Sequence, residues 1–351
     1  MPNTNIFFEG APLNSPLGRG EPTERVDEPY PSSPLIHPVG RGWKRHQGVI
    51  VPIVTPLDYN RQIDTEAVDR IIRNITKYDS APLVMGTTGE GTSLTHKQAL
   101  TLIRTAREAT PKEIPLYVAA NDNCIQRLIE KLQAYALAGA DIIAATLPAY
   151  YSLTDGQIQE FYTTIADNSN IPIFLYNIPI TTHTTIPIDT ILALAQHPNI
   201  HGIKDSDRDV DRMIQLLSLL HVSHPTFQFF CGCTANSSIA LEYHADGIVP
   251  SIANYLPQVF QKLYQSAISG QTEESRRWQQ LAIQAAQITT KGYTLGESLA
   301  GLKVIMKQCG FCEEYMLPPL SELSDEKKEK IRHQFSDLAL IVNRQLINDE
   351  Q

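Results

Sequence analysis

Two residues near the middle of the chain are chemically out of place. Lys204 ends the apolar run Ile200-His201-Gly202-Ile203-Lys204, and Tyr176 ends the run Ile173-Phe174-Leu175-Tyr176. An ammonium held among apolar side chains loses the hydration that favours its charge, and the neutral amine is a nucleophile. Such an amine condenses with a ketone to give a Schiff base, whose protonated form is an electron sink for carbanion chemistry. A phenol beside it can move the protons. The competing reading of the same lysine is a side chain that runs out to the rim and pairs with Asp205 or Asp207.

For Lys204 and Tyr176 to act together, the fold must bring them to one place. Between the two runs, Ile188 to Gln196 has apolar residues at helical spacing, so the stretch reads strand, helix, strand. A crossover of that length joins parallel neighbours and puts both residues at the same carboxyl edge of a sheet. The alternation runs from Gln47 onward. Strands are expected at Val49–Val54, Pro82–Met85, Pro115–Ala119, Asp141–Thr146, Ile171–Tyr176, Ile200–Lys204, Phe227–Cys231 and Asp246–Pro250. Helix starts are signalled by Asp64-Thr65, Thr95, Asn121-Asp122-Asn123 and Thr154-Asp155. Eight strand-helix units in about 220 residues predict an α/β chain folded as a (β/α)8, or TIM, barrel. A doubly wound sheet would want a glycine-rich turn after its first strand, and Val54-Thr55-Pro56-Leu57 is no such turn.

The barrel is expected over residues 46–268. Beyond it the pattern is helical, at Glu273–Thr289, Gly296–Cys309 and Asp325–Leu346 after a closing helix at Gln258–Ser266. This C-terminal helical extension, 269–351, has too little apolar surface to stand alone and should pack on the barrel or on another subunit. Residues 1–45 hold eight of the 23 prolines and no periodicity, which predicts a flexible or surface-draped N-terminal arm.

Composition narrows the function classes. With 351 residues, 42% hydrophobic, 19% charged and a net charge of −9, the chain offers no stripe of cations for nucleic acid. No apolar run approaches the ~18 residues of a membrane span and no secretory signal is legible, so a cytoplasmic protein is expected. The five cysteines, Cys124, Cys231, Cys233, Cys309 and Cys312, do not form a disulfide framework. Cys309-Gly310-Phe311-Cys312 matches a redox spacing but follows a helix rather than the first strand of a βαβ unit, which argues against a redox role. A zinc site shared with Cys231 and Cys233 is disfavoured by its C-x-C half-site. Neither a metal nor an organic cofactor is expected.

After the second strand comes Gly86-Thr87-Thr88-Gly89-Glu90, whose glycines let amides and the Thr87 and Thr88 hydroxyls converge on a small anion such as a carboxylate. An ordinary βα turn would use the same residue types. Together with Tyr176-Asn177-Ile178-Pro179 and Gly202-Ile203-Lys204-Asp205-Ser206, in that order after the second, fifth and sixth strands, this motif resembles the dihydrodipicolinate synthase and N-acetylneuraminate lyase family. The resemblance covers about Gln47 to Leu346 and implies a class I, Schiff-base lyase or aldolase on a TIM barrel. By that likeness Lys204 is the imine-forming lysine and Tyr176 the proton-relaying tyrosine. Thr87, Thr88 and Gly89 hold the carboxylate of pyruvate or another 2-oxo acid. Tyr150, or Tyr151 with one residue of slippage, is the tyrosine that crosses into a neighbour's site, which implies a homodimer or a homotetramer. Gly232 resembles the glycine after strand seven, and Val249 and Ser251 lie in the last strand and its substrate-facing turn.

The chain also departs from its likeness. The synthases carry an arginine shortly after the Tyr-Asn-x-Pro motif to pair with a second carboxylate, and here Thr181 stands there, followed by Thr182 and His183. The sialic acid lyases place acidic side chains after the strand-seven glycine, and this chain has Cys233-Thr234-Ala235. The second substrate is therefore left open, to be read by side chains near Thr181, His183, Cys233, Thr234, Ser251 and Asn254. The rivals to this reading are dihydrodipicolinate synthase proper, a non-catalytic ligand-sensing barrel, and a metal-dependent aldolase.

Overall fold

The structure, a computed structural model, describes residues 45–349, with side chains described as far as 346. The arm expected over 1–45 lies outside the described residues except for Arg45. Eight strands close into a parallel barrel in chain order: β1 (Gly48–Pro52), β2 (Ala81–Val84), β3 (Tyr117–Ala120), β4 (Ile142–Thr146), β5 (Ile173–Asn177), β6 (Ile200–Asp205), β7 (Gln228–Cys231) and β8 (Gly247–Ile248). β8 pairs back onto β1, so no strand edge is left open. The helices around them are α1 (Thr65–Thr76), α2 (His96–Ala109), α3 (Ile125–Ala138), α4 (Asp155–Asp167), the single turn α5 (Pro179–Thr182), α6 (Ile188–Leu194), α7 (Val210–Ser223), α8 (Ser237–Glu242) and α9 (Pro257–Ile268). The extension is α10 (Thr272–Thr290), α11 (Leu295–Gln308) and α12 (Asp325–Asp349). The expected boundary at 268/269 falls between α9 and α10.

The local start signals account for three of the four helix beginnings they were expected to mark. The Asp64 side chain accepts from the Ala67 amide, and Thr95 and Thr154 form capping boxes with Gln98 and Gln157. α3 differs. Its cap is Cys124 with no side-chain hydrogen bond, because Asp122 bonds the Cys124 amide at 2.8 Å and ion-pairs with Arg127 and Lys131.

Alternation along parallel strands splits the core into two layers. The inner layer, inside the barrel, holds Ile50, Leu83, Tyr117, Ile142, Phe174 and Phe230. The rings of Tyr117, Phe174 and Phe230 lie 5.8–6.3 Å apart and fill the barrel below the mouth. The outer layer lies between strands and helices and continues without a break to Trp278, Ile305 and Phe335 of the extension. Each such fully buried side chain contributes about 1.5–3 kcal/mol, so these helices are held by the barrel's own core. No helix among the described residues is long and apolar enough to cross a membrane.

One irregularity sets which side chains meet at the barrel mouth. Between β5 and β6 the register slips by one residue: Ile173 pairs with Ile200, but Phe174 pairs with Gly202, passing over His201. Without that slip Lys204 would face Asn177; with it, Lys204 faces Tyr176.

Candidate active site

Tyr176 and Lys204 are each the last residue but one of their strand, and both are buried. The Lys204 Nζ lies 3.6 Å from the centre of the Tyr176 ring, and the Tyr176 hydroxyl is 3.3 Å from Thr87 Oγ1. Gly202 makes room below them: a Cβ there would lie 2.8 Å from the Phe174 ring and 2.7 Å from the Gln228 carbonyl oxygen. Asp205, the other candidate partner for the lysine, is taken elsewhere. Its carboxylate accepts from Asn177 at 2.8 Å and pairs with Arg212 at 2.7 Å, and Arg212 also donates to the Ile186 carbonyl. Alternation explains the difference, since adjacent strand residues point to opposite faces. Asn177 and Asp205 therefore tie β5, β6 and α7 together behind the site while Tyr176 and Lys204 face into the barrel.

The loop after β2 is rigid and strained. Met85 and Glu90, neither of them glycine, have φ of 61° and 52°, a left-handed conformation that persists only where surroundings enforce it. The amides of Gly89, Glu90 and Gly91 donate to the Gly86, Thr87 and Gly86 carbonyls, and Thr55 Oγ1 donates to the Gly89 carbonyl at 2.5 Å. A Cβ at Gly91 would sit 1.8 Å from the Met85 carbonyl oxygen, so only glycine fits. The Glu90 side chain points away from the barrel axis, into the extension. Its Oε1 is 2.5 Å from Lys303 Nζ, and its Oε2 accepts from the Leu317 amide at 2.8 Å. Lys303 is 1% exposed and also donates to the Tyr315 carbonyl at 2.6 Å.

Beside Tyr176 opens a cavity of about 240 Å³ whose wall includes Thr87, Tyr176 and Thr181. Ala119 and Thr146, small residues on β3 and β4, leave the room for it. Thr88 and Gly89 are buried within the loop that carries Thr87. Other expected site residues lie apart from the cavity wall. Gly232 backs onto Ser206, where a Cβ would approach Oγ to 2.2 Å, and Val249 belongs to the inner apolar layer. Ser251 is half-buried at the start of a short 3-10 turn. His183 is exposed and caps α5, and Tyr150 is 77% exposed, its ring edge-to-face with Tyr151 at 4.9 Å. Asn254, expected to help read the substrate, is fully buried and ties β1 to the turn after β8 through Val54, Pro52 and Ser251.

The cysteines have no place in this site. All five are free. Burial pushes the Cys309 thiol up to about 11 and Cys312 to about 12, so neither is a thiolate at neutral pH. Among the described residues, no group of three or more His, Cys, Asp or Glu side chains comes together as a metal site.

The sequence profile of the dihydrodipicolinate synthetase family matches residues 45–338. The chain belongs to that family. Among the family's curated members, the 4-hydroxy-tetrahydrodipicolinate synthase of Exiguobacterium sibiricum is 30% identical over 66% of this chain and 79% of its own length. That of Acidiphilium cryptum is 27% identical over 84% and 99%. The solved dihydrodipicolinate synthase of Bacteroides thetaiotaomicron superposes with a TM-score of 0.78 at 28% identity, covering 83% of this chain and 98% of that one. The family, the closed barrel and the lyase class expected from the sequence are all met.

Proposed function

We propose that this chain is a Schiff-base-forming lyase or aldolase acting on a 2-oxo acid, with pyruvate the simplest candidate. The observation that carries the reading is the Lys204 amine stacked on the Tyr176 ring, with the Tyr176 hydroxyl against Thr87. The hydroxyls of Thr87 and Thr88 and the amides of their loop hold the carboxylate, which places the ketone over Nζ. The amine adds to the carbonyl carbon, and Tyr176, relayed by Thr87, protonates the oxygen so that it leaves as water and the imine forms. Loss of a proton from C3 gives the enamine. Its C3 then attacks a second carbonyl carbon, or in the reverse sense a C3–C4 bond breaks and the imine takes up the electron pair. A 2-oxo acid with a leaving hydroxyl can dehydrate from the same intermediate. Water hydrolyses the imine and restores Lys204.

Borohydride reduction in the presence of pyruvate should trap a covalent adduct on Lys204 and none on Lys204→Ala. Absence of an adduct on the wild type, or an adduct that survives the substitution, refutes the assignment. The curated relatives described above are named 4-hydroxy-tetrahydrodipicolinate synthases, and an assay coupling pyruvate with aspartate semialdehyde decides whether this chain shares that activity. Two neighbouring exposed tyrosines, Tyr150 and Tyr151, support an assembly in which a second copy covers them, so a homodimer or homotetramer in the cytoplasm is the proposed state.

A further inference from the structure

The cavity beside Tyr176 is made by two different parts of the chain. The loops and strand ends of the barrel contribute hydroxyls and an amide, from Thr92, Asn121, Thr146 and Thr181. The C-terminal extension contributes an apolar face: Leu295 and Leu299 at the start of α11, with Pro319 and Leu320 beyond it. No lysine, arginine or histidine is among the described residues of this wall. Its one carboxylate, Glu90, is ion-paired with Lys303 and accepts from the Leu317 amide. The Thr181 hydroxyl already donates to the Ile178 carbonyl at 3.2 Å. At the amino end of α11, Thr294 is the capping residue, and the Glu297 carboxylate completes the capping box by accepting from the Thr294 amide and hydroxyl.

With the first substrate's carboxylate already on the Thr87–Thr88 loop, a second carboxylate would bring another negative charge into the same cavity with no cation in its described wall to offset it, and burying an unpaired charge is far costlier than burying a hydroxyl or a methylene chain. An apolar chain laid against Leu299 and Leu320 gains about 0.8 kcal/mol per buried methylene. We infer that the second reaction partner is an uncharged aldehyde with a short apolar tail, or in the cleavage direction the 4-hydroxy-2-oxo acid built from it. This inference rests on the lyase reading above and narrows it. The enamine C3 of the lysine-bound 2-oxo acid forms a bond to the aldehyde carbon, and the aldehyde oxygen takes a proton to become the 4-hydroxyl. Hydrolysis of the imine then releases product. The carbonyl end faces Tyr176 and Thr87 while the tail lies under the extension.

The test uses the full chain with pyruvate and either butanal or glyoxylate or aspartate semialdehyde, following the 4-hydroxy-2-oxo acid or its cyclised product by mass spectrometry. Butanal should exceed both charged aldehydes in kcat/KM by at least about tenfold, the ratio that 1.4 kcal/mol of unpaired desolvation produces. Thr181→Lys, which puts an ammonium into the wall, should narrow or invert that ratio, and Leu299→Ser should lower kcat/KM for butanal more than for acetaldehyde. A higher kcat/KM for glyoxylate or aspartate semialdehyde on the wild type overturns the inference, as does an enzyme that turns over no uncharged aldehyde. Borohydride trapping on the same preparations separates the two levels. An adduct with the wrong aldehyde preference removes the inference alone, and no adduct removes the lyase reading with it.

Discussion

The ion pair between Glu90 and Lys303 offers the sharpest test of how the Gly86–Glu90 loop is held. Lys303→Met keeps the length and apolar stem of the side chain but leaves the Glu90 carboxylate, buried at 3% exposure, with only the Leu317 amide and no cation. It also removes the donor to the Tyr315 carbonyl. Breaking one side of a buried pair costs about 3–5 kcal/mol, because the remaining charge is stranded away from water. An unfolding entropy of about 2.1 cal/mol/K per residue gives about 1.5 °C per kcal/mol for a chain of more than about 300 residues, so the melting temperature should fall by about 5–8 °C. The Glu90→Gln/Lys303→Met double variant removes the stranded charge, so it should recover part of that loss. Thermal melts followed by circular dichroism measure both variants, and borohydride trapping across a pyruvate titration on the same samples reads the loop. Since the Glu90 backbone closes the turn that carries Thr87, half-maximal trapping should move to higher pyruvate in Lys303→Met at temperatures where the protein is still folded. A melt within a degree of wild type, or a double variant less stable than the single, refutes the reasoning.

Tyr176→Phe keeps the ring against Lys204 and removes the hydroxyl facing Thr87; turnover should drop by about 10²–10⁴-fold while pyruvate is still trapped, and unchanged kcat would exclude the tyrosine as the relay. Gly202→Ala drives a methyl into the Phe174 ring and the Gln228 backbone, so it should cost about 1–3 kcal/mol in urea unfolding; a neutral effect would mean the strands can part there. At the barrel base, burial pushes His46 down from 6.5 to about 4, against an opposing pull from Asp246. Between those values the unfolded chain takes up a proton that the folded one does not. Stability is therefore full above about pH 6.5 and falls by about 3 kcal/mol as pH drops towards 4. His46→Gln should flatten that slope between pH 7 and 4.5, and an unaltered slope would assign the effect elsewhere.

Much of this was legible in the amino-acid order. Each barrel strand lies within a residue or two of its expected run, apart from a shorter β8, because parallel strands buried on both faces read as continuous apolar stretches. The capping residues Asp64, Thr95 and Thr154 marked helix starts through local chemistry alone. The parts that could not be read depend on contacts far apart in sequence. Nothing local announces that β5 and β6 slip past His201, yet that slip decides which residue faces Lys204. Arg212 was hidden as an ordinary first-turn helix residue, although the alternation of β6 already turned Asp205 away from the lysine. Glu90 stands in the sequence at the end of a turn motif, and nothing local marks Lys303, in the helix expected at Gly296–Cys309, as its partner. Asn254 was expected among the substrate readers because it follows the last strand; its burial and three backbone partners make it a brace.

The link from Glu90 to the Leu317 amide spans 227 positions. A ribosome therefore finishes all eight strands, with Lys204 and Tyr176 on them, before it makes the groups that brace the Gly86–Glu90 loop. Closing so long a segment carries an entropic cost that no nearby contact offsets beforehand. A nascent chain that has assembled its barrel still holds the Gly86–Glu90 turn, the proposed carboxylate site, unbraced until Leu317 has been made. Damage downstream of the barrel would thus weaken chemistry encoded within it.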